Sequence, residues 1–241
     1  MRKIFTDNIN GNKAILTGDK HNHLAFSLRI RPGNVITLCN DGIDYEAEVV
    51  SVSKTQTELK ILSECACNTE PEINVTLFFA IMKGDKNELV AQKATELGAT
   101  KLVPVYSNNC ECRKESFKRD RICRIVVEAA EQCGRGLIPA VEEIVDVGDI
   151  PNRFKDYDVV VFANEREKNC SLRDVGLNDL SIKNVAIVIG SEGGFTEAEA
   201  QSFISSGAKS ITLGPRILRA ETANIAVLSA VMYEADQWKI K

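Results

Sequence analysis

Histidine is scarce in this 241-residue chain, which has only His21 and His23. An imidazole-based metal or catalytic centre is therefore poorly supplied, and the closely spaced pair is expected at a surface or a strand end. No run nears the roughly twenty apolar residues that span a bilayer, so no membrane partner is expected. The opening Met1-Arg-Lys-Ile-Phe-Thr-Asp-Asn8 lacks the continuous apolar stretch of a signal peptide, so an intracellular, cytoplasmic location is expected. There is no excess of positive charge: 30 Lys and Arg stand against 34 Asp and Glu, a net charge of −4. That excludes coating of nucleic acid by bulk charge but leaves room for a local basic patch. Neither Gly-x-Gly-x-x-Gly nor a Walker sequence occurs, which disfavours dinucleotide enzymes and NTPases. There is no internal repeat and no low-complexity tract. With 44% apolar and 27% charged residues, the composition is that of an ordinary globular protein.

Cysteine, by contrast, is plentiful at eight residues: 39, 65, 67, 110, 112, 123, 133 and 170. Cys65/Cys67 and Cys110/Cys112 are Cys-x-Cys pairs. Structural zinc usually wants two to four residues between its thiolates. A four-thiolate site is conceivable, but reduced, partly buried thiols are the simpler reading, and no metal is expected.

The chain changes character near residue 70. Before it, period-2 runs (Val35–Cys39, Tyr45–Val52, Thr57–Leu62) alternate with turns, Asn40-Asp-Gly42 joining the first two. This reads as a small β-barrel or sandwich, with a linker at Glu64–Pro71. After it, buried-type strands (Val75–Ile81, Leu102–Val105, Val159–Ala163, Val185–Ile189) alternate with helical patterns. Asp85 and Glu88 are spaced as a capping box, opening a helix whose apolar face is Leu89, Val90, Ala94 and Leu97 and which Gly98 ends. Ile122, Ile125, Val126, Ala129, Ala130 and Cys133 follow helical spacing. Such alternation predicts an α/β domain with a mainly parallel sheet covered on both faces. The expected domains are 1–70 and 71–241.

Two segments carry the chemistry. In Val185-Ala-Ile-Val-Ile-Gly-Ser-Glu-Gly-Gly-Phe-Thr-Glu-Ala-Glu199 a buried strand runs into a glycine-rich loop and then a helix. Thr196 and Glu199 form a capping box, with Phe195 and Ala200 as its staple. The loop sits at a strand's carboxyl end, where open α/β sheets bind ligands. Its glycines serve either close approach to a ligand or a tight turn needing φ > 0. In Ser210-Ile-Thr-Leu-Gly-Pro-Arg-Ile-Leu-Arg-Ala-Glu-Thr-Ala223, Arg216 and Arg219 precede a helix expected to start near Glu221 or Thr222. The macrodipole disfavours a guanidinium at a helix N-terminus. Its presence suits a site for an electron-rich group, or a surface bridge from Arg219 to Glu221. The helix that follows is apolar almost all round and belongs in the core or in a subunit interface.

Together these motifs closely resemble the ribosomal small-subunit methyltransferase E family, the 16S ribosomal RNA uridine-N3 methyltransferases of the SPOUT superfamily. The resemblance spans the chain. Lys83-Gly-Asp-Lys86 with Gln92-Lys-Ala-Thr-Glu-Leu-Gly98 looks like the family's first helix. Glu128-Ala-Ala-Glu-Gln-Cys-Gly-Arg135 with Pro139 looks like its second signature, and His23, Leu28-Arg29 and Pro32-Gly33 resemble its N-terminal PUA-like barrel. Ser191 departs from the pattern, standing where the family usually has proline.

The resemblance implies a deep trefoil knot, roughly over residues 159–235, and a homodimer. It implies S-adenosylmethionine as cofactor, held by Asn164, Glu165, Gly190, Ser191, Glu192, Gly193, Gly194, Leu213, Gly214, Ile217, Leu218 and Thr222, with Arg166 a further candidate. The partner implied is 16S rRNA, within the assembled small subunit. Uridine N3 keeps its proton at neutral pH, so an enzyme must stabilise the anion left by its removal. Arg219 is the expected stabiliser, and Glu221 or Glu192 the proton acceptor. RNA phosphates are expected at Arg2, Lys3, Arg29, Arg31, Lys83, Lys86 and Arg135, and at the cluster Arg113, Lys114, Lys118, Arg119 and Arg121, although the first reading of any one of them is a solvated surface charge. The same fold and cofactor would also serve a ribose 2′-hydroxyl or a transfer-RNA base. A non-catalytic RNA-binding ribosome-assembly module is the reading from another class. The N-terminal barrel and the Glu131–Arg135 segment favour the uridine enzyme, and Arg219 beside a complete glycine loop favours catalysis.

Overall fold

The computed structural model describes residues 3–239, so Arg2 lies outside the described residues. The chain forms two compact units: residues up to Glu70 together with Ala130–Leu137, and Pro71–Ala129 together with the residues from Ile138 on.

The first unit contains β1 (Lys3–Phe5), β2 (Ile9–Asn10), β3 (Lys13–Thr17), α1 (Gly18–Asn22), β4 (Val35–Asn40), β5 (Ile43–Val52) and β6 (Gln56–Ala66). Its sheet runs β1-β4-β5-β6-β3-β2, antiparallel throughout except for the β1/β4 pair. Alternation puts Ile36 and Leu38 of β4 inside with Leu16, Leu24 and Leu59. Asn40-Asp-Gly42 makes the anticipated hairpin: φ is positive at both Asp41 (47°) and Gly42 (78°), as a two-residue type I′ loop requires. β6 continues through Glu64 to Ala66, so the expected linker begins later than its polarity suggested. His21 is buried rather than at the surface, its Nδ1 2.8 Å from Thr57 Oγ1.

Two expected RNA contacts are structural members of this unit. Lys3 is buried, pairs with Asp44 at 2.8 Å and donates to the carbonyls of Gly134 and Arg135. Arg135 is also buried, and forms a two-pronged pair with Glu70 (Nε to Oε1 3.2 Å, Nη2 to Oε2 2.6 Å). Glu70 further accepts from the backbone N–H groups of Gly136 and Leu137. These bonds draw residues 130–137 into the first unit, although a simple split at residue 70 assigned them to the second.

The second unit contains β7 (Asn74–Ala80), α2 (Lys86–Glu96), β8 (Lys101–Tyr106), most of α3 (Arg119–Cys133), β9 (Ala140–Val141), β10 (Val145–Asp146), β11 (Val159–Ala163), β12 (Asn184–Ile189), α4 (Glu197–Ser205), β13 (Lys209–Ile211) and α5 (Ala220–Glu234). The sheet order is β10-β8-β7-β12-β11-β13, with β9 also on β8, and every pairing is parallel. Parallel strands buried on both faces need largely apolar runs, and β7, β11 and β12 supply them. Val75, Leu77, Phe79, Val185, Ile187 and Ile189 face α2, α3 and α5. Phe78, Ala80, Ala186 and Val188 face α4. There Phe203 meets Phe195, Phe162 and Phe154 edge-on, with ring centroids 5.0, 5.3 and 6.0 Å away.

Two local expectations fail in α2. Asp85 stands at the N-cap but makes no side-chain cap bond. Glu88 is drawn instead to Arg121, and the intended box does not close. Leu89 points outward, while Val90, Ala91 and Ala94 form the buried face. Among the described residues no helix is long and apolar enough to cross a membrane, and no three His, Cys, Asp or Glu side chains converge as a metal site.

Candidate active site

The parallel sheet ends its central strands at one edge. Ile189 closes β12, Ala163 closes β11, and Thr212 follows β13. All three line a pocket of about 980 Å³ whose remaining wall is the loops after these strands, the first turn of α5 and Lys86 at the start of α2. This is the crevice beyond the carboxyl ends that open α/β sheets offer to ligands, with a volume suited to a cofactor.

The glycine-rich loop makes the first wall. The Thr196/Glu199 capping box forms in full, with Glu199 Oε2 accepting from Thr196 N (2.6 Å) and Thr196 Oγ1 accepting from Glu199 N (3.2 Å). Phe195 is anchored in the core beside Ala200. Between these fixtures the loop folds on itself, Gly194 N donating to Ser191 O at 2.9 Å. Gly190 is obligatory through close approach, since a Cβ there would lie 2.9 Å from Gly194 Cα. Gly194 has φ +62°, and a Cβ on it would press against the Glu165 carboxylate. The turn reading left open for these glycines holds at Gly194, and the close approaches seen at Gly190 and Gly194 are to neighbouring parts of the chain itself.

The second wall is Thr212–Ala220, where Leu213, Ile217 and Leu218 add apolar surface and Arg216 and Arg219 are exposed. Arg219 is the N-cap of α5, so the helix starts at Ala220, slightly earlier than expected. Among the described residues Arg219 makes no ion pair, and the alternative bridge to Glu221 does not form. Asn164, Glu165, Glu167 and Lys168 close the third side. Asn164 N donates to Ile211 O (3.0 Å), tying this loop to β13.

Lys86 also lies on the wall, although it was expected as an RNA phosphate contact. Its Nζ is 2.6 Å from Glu192 Oε1 and 3.9 Å from Glu221 Oε2. Burial works against ionisation of Glu192. The Lys86 hydrogen bond and backbone N–H donors outweigh it and hold the carboxyl below the usual carboxylate range. Glu221 Oε2 is buried without a hydrogen-bond partner.

The pocket therefore gathers Asn164, Glu165, Gly190 to Gly194, Leu213, Gly214, Ile217, Leu218, Arg219 and Glu221. Thr222 is the exception: it faces solvent on α5 while its neighbours Glu221 and Ala223 line the wall. Arg166 is also absent from the wall. Arg29 and Arg31 are exposed on the first unit, and Lys83 is exposed but paired with Glu111. In the basic cluster, Lys114, Arg119 and Arg121 are taken up by Asp146, Glu143 and Glu88. Lys86 was missed as a wall residue because its approach to Glu192 is a tertiary contact that no local spacing marks.

Comparison with known proteins agrees with this architecture. Residues 69–232 match an RNA methyltransferase domain, and residues 16–62 match an RNA methyltransferase PUA domain. The chain is 33% identical to the ribosomal RNA small subunit methyltransferase E of Bacillus subtilis (strain 168) over 230 residues, covering 92% of this chain and 90% of that one. It superposes on the enzyme of the same name from Neisseria gonorrhoeae, solved bound to S-adenosyl methionine, with a TM-score of 0.87 and 31% identity over 97% of both chains. A Legionella pneumophila protein solved in complex with bound cofactor SAM gives a TM-score of 0.88 and 30% identity over 96% of both chains. A domain match over most of the chain, and relatives of the same name at 31% and 33% identity over nine-tenths or more of their length, lead to one assignment: the chain belongs to the ribosomal RNA small subunit methyltransferase E family.

Proposed function

We propose that the pocket holds S-adenosylmethionine and that the chain methylates N3 of one uridine in 16S ribosomal RNA. The observation that carries this reading is the convergence of the glycine loop, Arg219 and Glu221 around one pocket at the ends of three parallel strands. The residues fit the cofactor. Gly190 to Gly194 present backbone, Ile189, Leu213 and Leu218 present an apolar wall for an adenine ring, and Glu165, Glu167, Glu192 and Glu221 suit a ligand bearing cationic groups. Leu213, Gly214, Ile217 and Leu218 would share its binding with Asn164, Glu165 and the glycine loop.

When bound, S-adenosylmethionine supplies a methyl group on a sulfonium, whose sulfur leaves as a neutral thioether. The chain's part is to align, and to stabilise charge. Arg219, exposed at the mouth and without an ion pair among the described residues, would neutralise the anion spread over the uracil carbonyl oxygens. A carboxylate on the wall would take the N3 proton, Glu221 or Glu192 directly or through water.

The same reading assigns RNA binding to a PUA-like domain in residues 1–70 and catalysis to a SPOUT domain in 71–241, with Arg29, Arg31 and Lys83 as phosphate contacts. It includes a trefoil knot over roughly 159–235, a course supported by β11 lying between β12 and β13 in the sheet. It includes a homodimer, supported by the partly exposed Ile225, Ala226 and Ala230 and the exposed Tyr233 of α5. It puts the protein in the cytoplasm, acting on the assembled small subunit. The test is methylation of free 16S RNA and of assembled subunits with labelled cofactor, followed by nucleoside analysis. The expected product is 3-methyluridine, formed on subunits. Any other methylated nucleoside overturns the assignment. Arg219→Ala should abolish methylation while cofactor affinity stays within about threefold of wild type, and an equal loss of both would sink the role given to Arg219.

A further inference from the structure

The glycine loop has two sides, and the side away from the pocket is tethered. Asn109, in the segment after β8, meets it three ways. Its Nδ2 donates to Gly193 O at 2.9 Å, and its backbone carbonyl accepts from Ser191 Oγ at 3.1 Å. Its main chain also approaches Gly193 so closely that a Cβ there would lie 2.9 Å from Asn109 O. The adjoining Asn108 N donates to Glu199 Oε1 (3.0 Å), whose other oxygen closes the cap of α4. Ser191 and Gly193 line the pocket, whereas Asn109 does not.

We infer that Asn109 is a positioning residue for the cofactor loop, acting through Gly193 and Ser191. The inference rests on the proposal that this pocket binds S-adenosylmethionine. A peptide between glycines has little of its own to hold its orientation, because glycine admits both signs of φ. The Asn109 amide engages the Gly193 carbonyl and fixes that peptide plane. The Ser191 hydroxyl, itself buried, pins the residue two positions earlier. Order that the backbone cannot supply comes from a neighbouring segment, so a ligand meets a loop already set.

The test is calorimetric titration of the full chain with S-adenosylmethionine, alongside methylation kinetics, for wild type, Asn109→Ala, Asn109→Asp and Ser191→Ala. Loss of one hydrogen bond from the bound arrangement corresponds to about a two- to tenfold weakening. Asn109→Ala and Ser191→Ala should each raise the cofactor Kd and KM by that factor. For Asn109→Ala, whose side chain lies outside the pocket wall, kcat at saturating cofactor and KM for RNA should change little. Asn109→Asp should be worse than Asn109→Ala, because it turns an acceptor toward the Gly193 carbonyl. General loosening of the fold would order the two the other way, the smaller residue being the more damaging. Should Asn109→Asp fail to fold, Asn109→Ala carries the test through the same split of KM against kcat. Wild-type binding with unchanged affinity in the variants overturns the inference. Absence of binding by wild type overturns the cofactor reading itself.

Discussion

Gly190→Ala isolates the role of close approach in the pocket wall. The added Cβ would lie 2.9 Å from Gly194 Cα and 3.1 Å from Gly194 C. Both are backbone atoms, so no rotamer change relieves the contact. Gly194 cannot retreat freely, because Phe195 after it is locked in the aromatic cluster and its own N–H is bonded to Ser191. Overpacking of this kind costs about 1–3 kcal/mol. If that strain falls on the bound arrangement of the loop, the affinity for S-adenosylmethionine drops about 5- to 150-fold. Gly148→Ala is the control, since its Cβ would meet nothing within 4 Å. Calorimetry should show weakened binding for the first variant and wild-type binding for the second. Undiminished affinity in a folded Gly190→Ala protein would refute the reasoning, because the glycine would then be serving neither turn nor wall.

Other consequences can be measured. Arg135→Met leaves the Glu70 carboxylate without its buried partner, a loss of about 3 kcal/mol. Thermal denaturation should fall by roughly 6–12 °C, and the salt dependence of RNA binding should be unchanged. The Cys39 thiol is pushed up to about 12, by burial first and then by Asp44. At pH 8 it stays protonated, and a thiol reagent should label exposed Cys65 first and leave Cys39 unmodified until unfolding. Glu192 is held below the usual carboxylate range by Lys86 against the opposing effect of burial. A depressed carboxyl contributes stability above the ordinary carboxylate pKa and loses it as pH falls through the depressed value. Lys86→Met should therefore move the acid limb of cofactor binding to higher pH, and an unmoved limb would show that the contact does not control that carboxylate.

Much of this was legible in residue order, and the failures share a cause. The Thr196/Glu199 box and the Asn40-Asp-Gly42 hairpin were readable because each is closed by atoms within three or four residues of one another. The largely apolar runs of β7, β11 and β12 announced a parallel sheet because burial on both faces leaves few polar positions, Thr76 being one. Asp85 and Glu88 had equally good spacing, yet Arg121 took the glutamate. Lys3 and Arg135 read as surface cations, as any lysine or arginine does until a carboxylate such as Asp44 or Glu70 is found across the fold. Lys86 and Asn109 follow the same rule: what each does depends on a partner more than eighty residues away, and composition around them carries no trace of it.

The pocket wall is drawn from residues Ala163 to Ala223, apart from Lys86, and this has a bearing on synthesis. A chain emerging from the ribosome at about 5–20 residues per second presents β7, β8 and β11 well before any pocket exists. Until α5 emerges, the face that Val227, Leu228, Val231 and Met232 will cover, with Val75, Leu77 and Ile187 on it, lacks its roof. The helix that opens with Arg219 and Glu221 is thus also the piece that closes the core. A nascent or prematurely terminated chain lacking it would expose apolar strand surface to chaperones and proteases and could form no binding site, so competence to bind cofactor would report that the second unit has been made through α5.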